Sequence, residues 1–332
     1  MPRSGSARRR LALAMLMTAA PLAAQGAGWA SQGVVDVPAL VELSGLAVMP
    51  GAGGRIWAHN DSGNAPHLYA FDRRGRALGA VRVSAPESAT FDWEDIAAFE
   101  HQGRPWLALG DIGDNVGLRR DVAVLLFPEP VPGAAGRVPQ RMIRFRYEDG
   151  AADAEALAVD AAAGEILVLQ KSRRLAGLYV VSIEGPDRQT ARRVAQLPPR
   201  WQRADGTVVT REAIVAMDLR ADGRQLALVD ARAVHLFARW PGQAWREVLE
   251  APPQHSLPLP RDGSRHFEAV AFDDDGALWV AAEGRTPRLW RHAPAKDQGA
   301  GATGASTGAS AGGASGEGAG AASAAGRSTA SP

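Results

Sequence analysis

Gly54-Arg55-Ile56-Trp57, Gly103-Arg104-Pro105-Trp106, Gly164-Glu165-Ile166-Leu167, Gly223-Arg224-Gln225-Leu226 and Gly276-Ala277-Leu278-Trp279 are one pattern written five times. A turn glycine, two variable residues and a large apolar residue open a strand each time. Ahead of each glycine lies another strand-like run: Leu46-Ala47-Val48, Ile96-Ala97-Ala98-Phe99, Leu157-Ala158-Val159, Met217-Asp218-Leu219 and Val270-Ala271-Phe272. Each pair of runs around a glycine turn reads as a β-hairpin. A third strand is predicted at 67–71, 122–127, 178–183, 234–237 and 288–291, and a fourth at 80–83, 142–147, 192–197 and 245–249. The fifth unit lacks a fourth strand, and an unassigned strand-like segment stands at 34–40, before the first unit.

An internal repeat of this length means a ring or array of similar modules. The spacings of about 49, 61, 59 and 53 residues each hold one four-stranded blade plus loops. The expectation is an all-β protein, a five-bladed β-propeller over residues 33–296 whose N-terminal strand completes the last sheet and removes an exposed edge. Six blades stay open if 200–210 hides a further sheet, and a β-sandwich is the competing architecture.

The ends read differently from the body. Arg8-Arg9-Arg10 precede an apolar run, Leu11 to Ala20, and then small residues. That is the pattern of a secretory leader over 1–26, cleaved between Ala23 and Ala27. The arginine run leaves twin-arginine export as the alternative to the general route. The protein is therefore expected to be exported, periplasmic or secreted. Residues 297–332 are nearly all Ala, Gly, Ser and Thr, a composition that cannot bury enough apolar surface to order itself. No second apolar run is long enough to span a membrane. With no cysteine there is neither a disulfide framework nor a lipid-anchor cysteine, so the fold must stand on its core. A formal net charge of +1 gives no electrostatic case for nucleic acid. Only Lys171 and Lys296 are lysine among 37 basic residues, a bias that follows from codon usage before function.

Aligning the units places Ser44, Glu94, Glu155 and Glu268 at one position, just before the inner apolar run, with Val215 in the fourth unit. Two residues upstream stand Glu42, Asp92, Asp153 and His266. In a regular strand both positions face the same way. The second strand returns to this rim, bringing Asn60-Asp61-Ser62-Gly63, Asp111 to Asn115, Lys171-Ser172, Asp230 and Glu283-Gly284. The ligand-binding candidates are Glu42, Asp92, Glu94, Glu155, Lys171, His266, Glu268 and Glu283.

Crowded carboxylates need a cation, protonation or basic partners. Asn60, Asp61, Asp111, Asp114 and Asn115 offer the oxygen ligands of calcium or a similar hard divalent cation. Sparse histidine and absent cysteine disfavour a soft metal. Arg119, Arg120, Arg265, Arg285 and Lys171 could satisfy the acids instead. Any one of these acids could also simply cap a turn. Asp273-Asp274-Asp275-Gly276 falls on the opposite rim and reads as a hairpin turn. Trp57, Trp106 and Trp279 read as packing between blades. There is no Gly-x-Ser-x-Gly elbow, phosphate-binding glycine loop or His-Glu-x-x-His helix. Catalysis, if present, rests on metal-assisted water or on carboxylate acid–base work.

The ordered set Glu42-Leu43-Ser44-Gly45-Leu46-Ala47, His59-Asn60-Asp61-Ser62-Gly63, Asp92-Trp93-Glu94-Asp95-Ile96-Ala97 and Gly110-Asp111-Ile112-Gly113-Asp114-Asn115 resembles a group of exported bacterial propeller proteins without a settled activity. The resemblance continues through Pro128-Glu129-Pro130, Glu155-Ala156-Leu157-Ala158 and Glu268-Ala269-Val270-Ala271, and so runs from Glu42 to Glu283. More distantly, the architecture is similar to regucalcin and gluconolactonase lactonases and to phytase-like propellers. These place metal-binding carboxylates at one channel end, but their ligand sets do not map onto this chain residue by residue. Two functions are therefore carried forward for a monomer acting on a small-molecule or envelope ligand. One is a metal-dependent hydrolase of a small ester, lactone or phosphoester. The other is a non-catalytic binding module with a structural cation.

Overall fold

The computed structural model describes residues 28–294 except 52, 84–91 and 135–140. The leader expected over 1–26 and the low-complexity tail expected over 297–332 lie outside the described residues.

Strand β1 (Trp29–Val34) comes first. The first unit is β2 (Leu43–Val48), β3 (Ile56–Asn60), β4 (His67–Phe71) and β5 (Ala77–Arg82). The second is β6 (Trp93–His101), β7 (Arg104–Asp111), β8 (Val122–Pro128) and β9 (Arg141–Tyr147). The third is β10 (Ala154–Asp160), β11 (Glu165–Gln170), β12 (Ala176–Ser182) and β13 (Arg188–Leu197). A hairpin of β14 (Arg200–Gln202) and β15 (Val208–Thr210) stands outside the ring of units. The fourth unit is β16 (Ala216–Leu219), β17 (Gln225–Val229) and β18 (Ala233–Ala238), then helix α1 (Trp245–Glu250) and β19 (His255–Pro258). The last is β20 (Phe267–Phe272), β21 (Leu278–Ala282) and β22 (Arg288–His292).

Each unit is an antiparallel meander, and β1 supplies the fourth strand of the last by pairing with β22. The closing strand is thus Trp29–Val34 rather than the predicted segment 34–40, of which only Asp36 makes an isolated bridge, to Arg76. The predicted strand at 245–249 is α1 instead, and β19 takes its place in the sheet. Trp245, Val248 and Leu249 are its buried residues, spaced one helical turn apart.

Innermost strands β2, β6, β10, β16 and β20 each lie against two others of the set and close a ring. Inner strands alternate their side chains between the two neighbouring units. Leu46 packs toward the last unit, with Trp279 and Leu289; Ala47 packs toward the second, with Ile96 and Leu107. The apolar core accordingly falls into five wedges, one per seam, and no single central core exists. That is the packing logic of a β-propeller. Trp57 and Trp279 are wholly buried in these wedges. Outer strands β9 and β13 also pair in parallel, which fuses the second and third units and hides two edges.

Every inner strand runs from one mouth of the ring to the repeat turns at the other. Asp273 anchors the turn of the last unit. Its carboxylate accepts the N–H groups of Asp275 and Ala277, the Trp279 indole N–H and Arg291 Nε.

Candidate functional site

Four inner strands slip register at the same place, between Leu43 and Gly45, Trp93 and Asp95, Ala154 and Ala156, and Phe267 and Ala269. The extra residues are Ser44, Glu94, Glu155 and Glu268, the four that the repeat aligns. In the fourth unit Val215 donates its N–H to the Val229 carbonyl while Ala216 also faces Val229, which makes Val215 the counterpart. A bulge re-aims the side chain of its extra residue. Here five bulged residues line one polar cavity of about 130 Å³, joined by Asp61, Asn115 and Lys171.

A second repeated contact shapes the rim. The backbone carbonyls of Glu42, Asp92, Asp153 and His266 accept N–H groups from Asp61, Ile112, Lys171 and Glu283, the residues where the second strands end. The carboxylates of Asp61, Asp92 and Glu94 consequently offer oxygens within 4.8 Å of one another, and so do the ligating atoms of His266, Glu268 and Glu283. Gly113 makes the first grouping sterically feasible. A Cβ there would lie 2.1 Å from Glu94 Oε1 and 2.5 Å from Asp92 Oδ2.

Of the residues singled out as cation ligands, Asp61 and Asn115 line the cavity. Asn60 is occupied elsewhere: its amide oxygen accepts the N–H groups of Val41 and Glu42, and its NH₂ donates to the Ala39 carbonyl. Asp111 accepts the Asp92 N–H and pairs with Arg119 at 2.8 Å. Asp114 accepts the N–H groups of Leu118 and Arg119. These three knit loops around the mouth. Sequence alone could not separate Asn60 from Asp61, because adjacent polar residues at a strand end differ only in which way they face. Glu42 holds the Asn64 amide at the outer edge.

The electrostatics are one-sided. Glu94 is 6% exposed, and its carboxylate has no hydrogen-bond or ion-pair partner among the described residues. Burial, reinforced by Glu155, Asp61 and Asp92, pushes it up to about 9. Burial also raises Glu155 to about 7, against the pull of Lys171, whose ammonium pairs with it directly. Glu268 rises to about 7 through burial and the nearby Glu283 and Glu155 carboxylates. Burial raises Asp61 and Glu283 as well. Among the described residues Lys171 is the only basic one lining the cavity, and it is spent on Glu155. His266 stands at the edge in the left-handed region, with φ 55°.

Directly below Glu94, Asp95 is fully buried. Its Oδ2 accepts N–H groups from Leu157 at 2.9 Å and Met217 at 3.1 Å, and its Oδ1 accepts the Ile96 N–H. One side chain thus ties the second unit to the third and fourth across the axis. Its signal in the sequence is a charge inside an apolar strand.

Neither a family model nor a curated protein matches the chain. Among solved structures it is similar to the PQQ-bound aldose sugar dehydrogenase of Streptomyces coelicolor, at 11% identity and a TM-score of 0.41 over 80% of this chain and 99% of that one. The soluble aldose sugar dehydrogenase of Escherichia coli in its apo-form gives 10% and 0.41 over 80% and 98%. The Dos1 propeller gives 9% and 0.36 over 76% and 68%. Likeness this low carries no function across. Among the described residues no helix is long and apolar enough to cross a membrane.

Proposed function

We propose that the acidic mouth binds a hard divalent cation of the calcium type through Asp61, Asp92 and Glu94, and that the exported protein uses it to hydrolyse a small ester, lactone or phosphoester. The observation that carries this reading is Glu94, a buried carboxylate without a partner among the described residues, beside two more. The donors are all oxygen, as calcium prefers. A cation held there would polarise a substrate carbonyl or phosphoryl oxygen and acidify a water. Glu268 lines the same cavity, its carboxylate unpaired among the described residues, and in this reading it takes the proton from that water. The Asn115 amide can donate to a substrate oxygen. Lys171 holds Glu155 in place.

Two variants separate the roles. Glu268→Gln is expected to lower kcat by about 10²–10⁴ while calcium binding persists. Glu94→Gln is expected to abolish both. Turnover of nitrophenyl acetate, a γ-lactone and nitrophenyl phosphate, beside calcium titration calorimetry, reads both effects. Calcium binding by the parent with no turnover of any of the three would remove the hydrolase. The cavity's small size favours the remaining reading in that case, a monomeric binding module for an envelope ligand with the cation as its bolt.

Gly113→Ala tests the cation site without removing a ligand. The added methyl must push Glu94 and Asp92 apart, so calcium affinity is expected to fall at least about tenfold, or ~1.4 kcal/mol. Affinity equal to the parent's would show that these carboxylates do not act together.

A further inference from the structure

The opposite mouth holds a larger cavity, of about 570 Å³. All five units build it, because the inner strands end there: Val48, Phe99, Val159, Leu219 and Phe272 supply one apolar residue each. Along β6, Asp95 lies between Glu94, which lines the acidic cavity, and Ala98, which lines this one. The two cavities are therefore separate. A volume of this size matches pockets that enclose small organic ligands.

The rim is unevenly charged. Among the described residues six acids line it against one base, Arg220. Asp222 pairs with Arg220, Asp273 with Arg291 at 3.1 Å, and Asp275 with Arg291 at 3.5 Å. Glu100, Asp218 and Asp274 have no ion pair among the described residues. Asp218 accepts only backbone N–H groups, from Leu219 and from Phe272 at 2.7 Å. Asp274 accepts the Gly51 N–H. Among the described residues no three ligating side chains converge here as they do at the other mouth. Dispersed acids over an apolar wall do not suit a bare metal ion. They suit a cation whose charge sits on an apolar body.

We propose that this mouth is a second ligand site, for a small organic ammonium ion whose apolar part enters between Val48, Val159 and Phe272 and whose charge meets Glu100, Asp218 and Asp274. It is independent of the cation site and of any hydrolysis there.

The experiment compares phenethylammonium with its neutral and anionic analogues, 2-phenylethanol and phenylacetate, by titration calorimetry on the mature protein. The ammonium ion is expected to bind at least about tenfold tighter than the alcohol, and phenylacetate not at all. The double variant Glu100→Gln/Asp274→Asn changes only exposed rim residues and is expected to erase that preference. Ala98→Leu, at the partly exposed wall, is expected to weaken all binding at least about tenfold by filling the throat. If it fails to fold, the rim variant decides. Equal binding of the three compounds, no ammonium binding up to about 10 mM, or a preference that survives the rim variant would overturn the proposal. So would loss of ammonium binding in Glu94→Gln, because the amine would then occupy the acidic mouth.

Discussion

Asp95→Asn is expected to destabilise the protein by about 2–3 kcal/mol, although the substitution keeps the shape of the side chain. Three backbone N–H groups point at the two carboxylate oxygens. Asparagine offers one oxygen. If that oxygen faces Leu157 and Met217, the new NH₂ faces the Ile96 N–H; if it turns, two donors are stranded instead. No water reaches a residue that is 0% exposed, so the loss is not made good by solvent. Burial pushes the Asp95 carboxyl well up, and the three N–H bonds pull it back. In thermal melts the variant should lose roughly 4–12 °C. A melting point within about 1 °C of the parent would mean that the axial contacts contribute little.

The size of that effect follows from architecture. A propeller divides its apolar core among the seams, so apolar packing joins neighbouring units. Asp95 bridges units that are not neighbours, since β6 belongs to the second and Met217 to the fourth. At the acidic mouth the carboxylates lose solvent by burial, and this desolvation is the largest cause of the raised Glu94, Glu155 and Glu268 values.

Much of this was readable in the residue order, for identifiable reasons. The glycine turns and flanking apolar runs are local, and they gave all five hairpins in the right register of units. Ser44, Glu94, Glu155 and Glu268 were alignable because the repeat holds them at one offset from the turn. That they protrude through bulges was not readable, because a bulge is a property of two strands and not of one sequence. A simple period of two would have put Asp92 and Glu94 on one strand face, whereas they meet through the turn at Gly113. At Trp245 the error was one of period: three apolar residues at 245, 248 and 249 follow a helical spacing that the expectation of a fourth strand concealed. The closing strand, Trp-Ala-Ser-Gln-Gly-Val, is largely polar and small, so no local signal marks it. Asp95 stood in plain sight beside Glu94, but only the axis gives it a function.

Without divalent cation, the protein is expected to lose stability steadily from pH 5 to pH 9, and calcium is expected to restore it. Glu94, Glu155 and Glu268 sit at about 9, 7 and 7 in the fold, against 4.5 when unperturbed. Below pH 4.5 both folded and unfolded chains hold these protons, and the groups exert no penalty. Above it the unfolded chain releases them while the fold retains them, so the folded state binds more protons and stability falls as pH rises. The fall continues until pH exceeds about 9, where Glu94 has ionised as well. This is the reverse of a protein whose carboxylates are held by salt bridges. A cation at Asp61, Asp92 and Glu94 needs the ionised form, so it must displace the Glu94 proton at low pH and meets an open site at high pH. The calcium-induced rise in melting temperature should therefore grow from near zero at pH 5 to its maximum at pH 9. Each unit of displaced pKa corresponds to about 1.4 kcal/mol, worth roughly 3–5 °C in a domain of this size. Glu94→Gln should abolish the calcium trend and shorten the pH trend, because it removes the ligand and leaves only the fall due to Glu155 and Glu268, which is complete above about pH 7. A calcium shift that is the same at pH 5 and pH 9, or that survives in Glu94→Gln, would place the cation elsewhere on the protein.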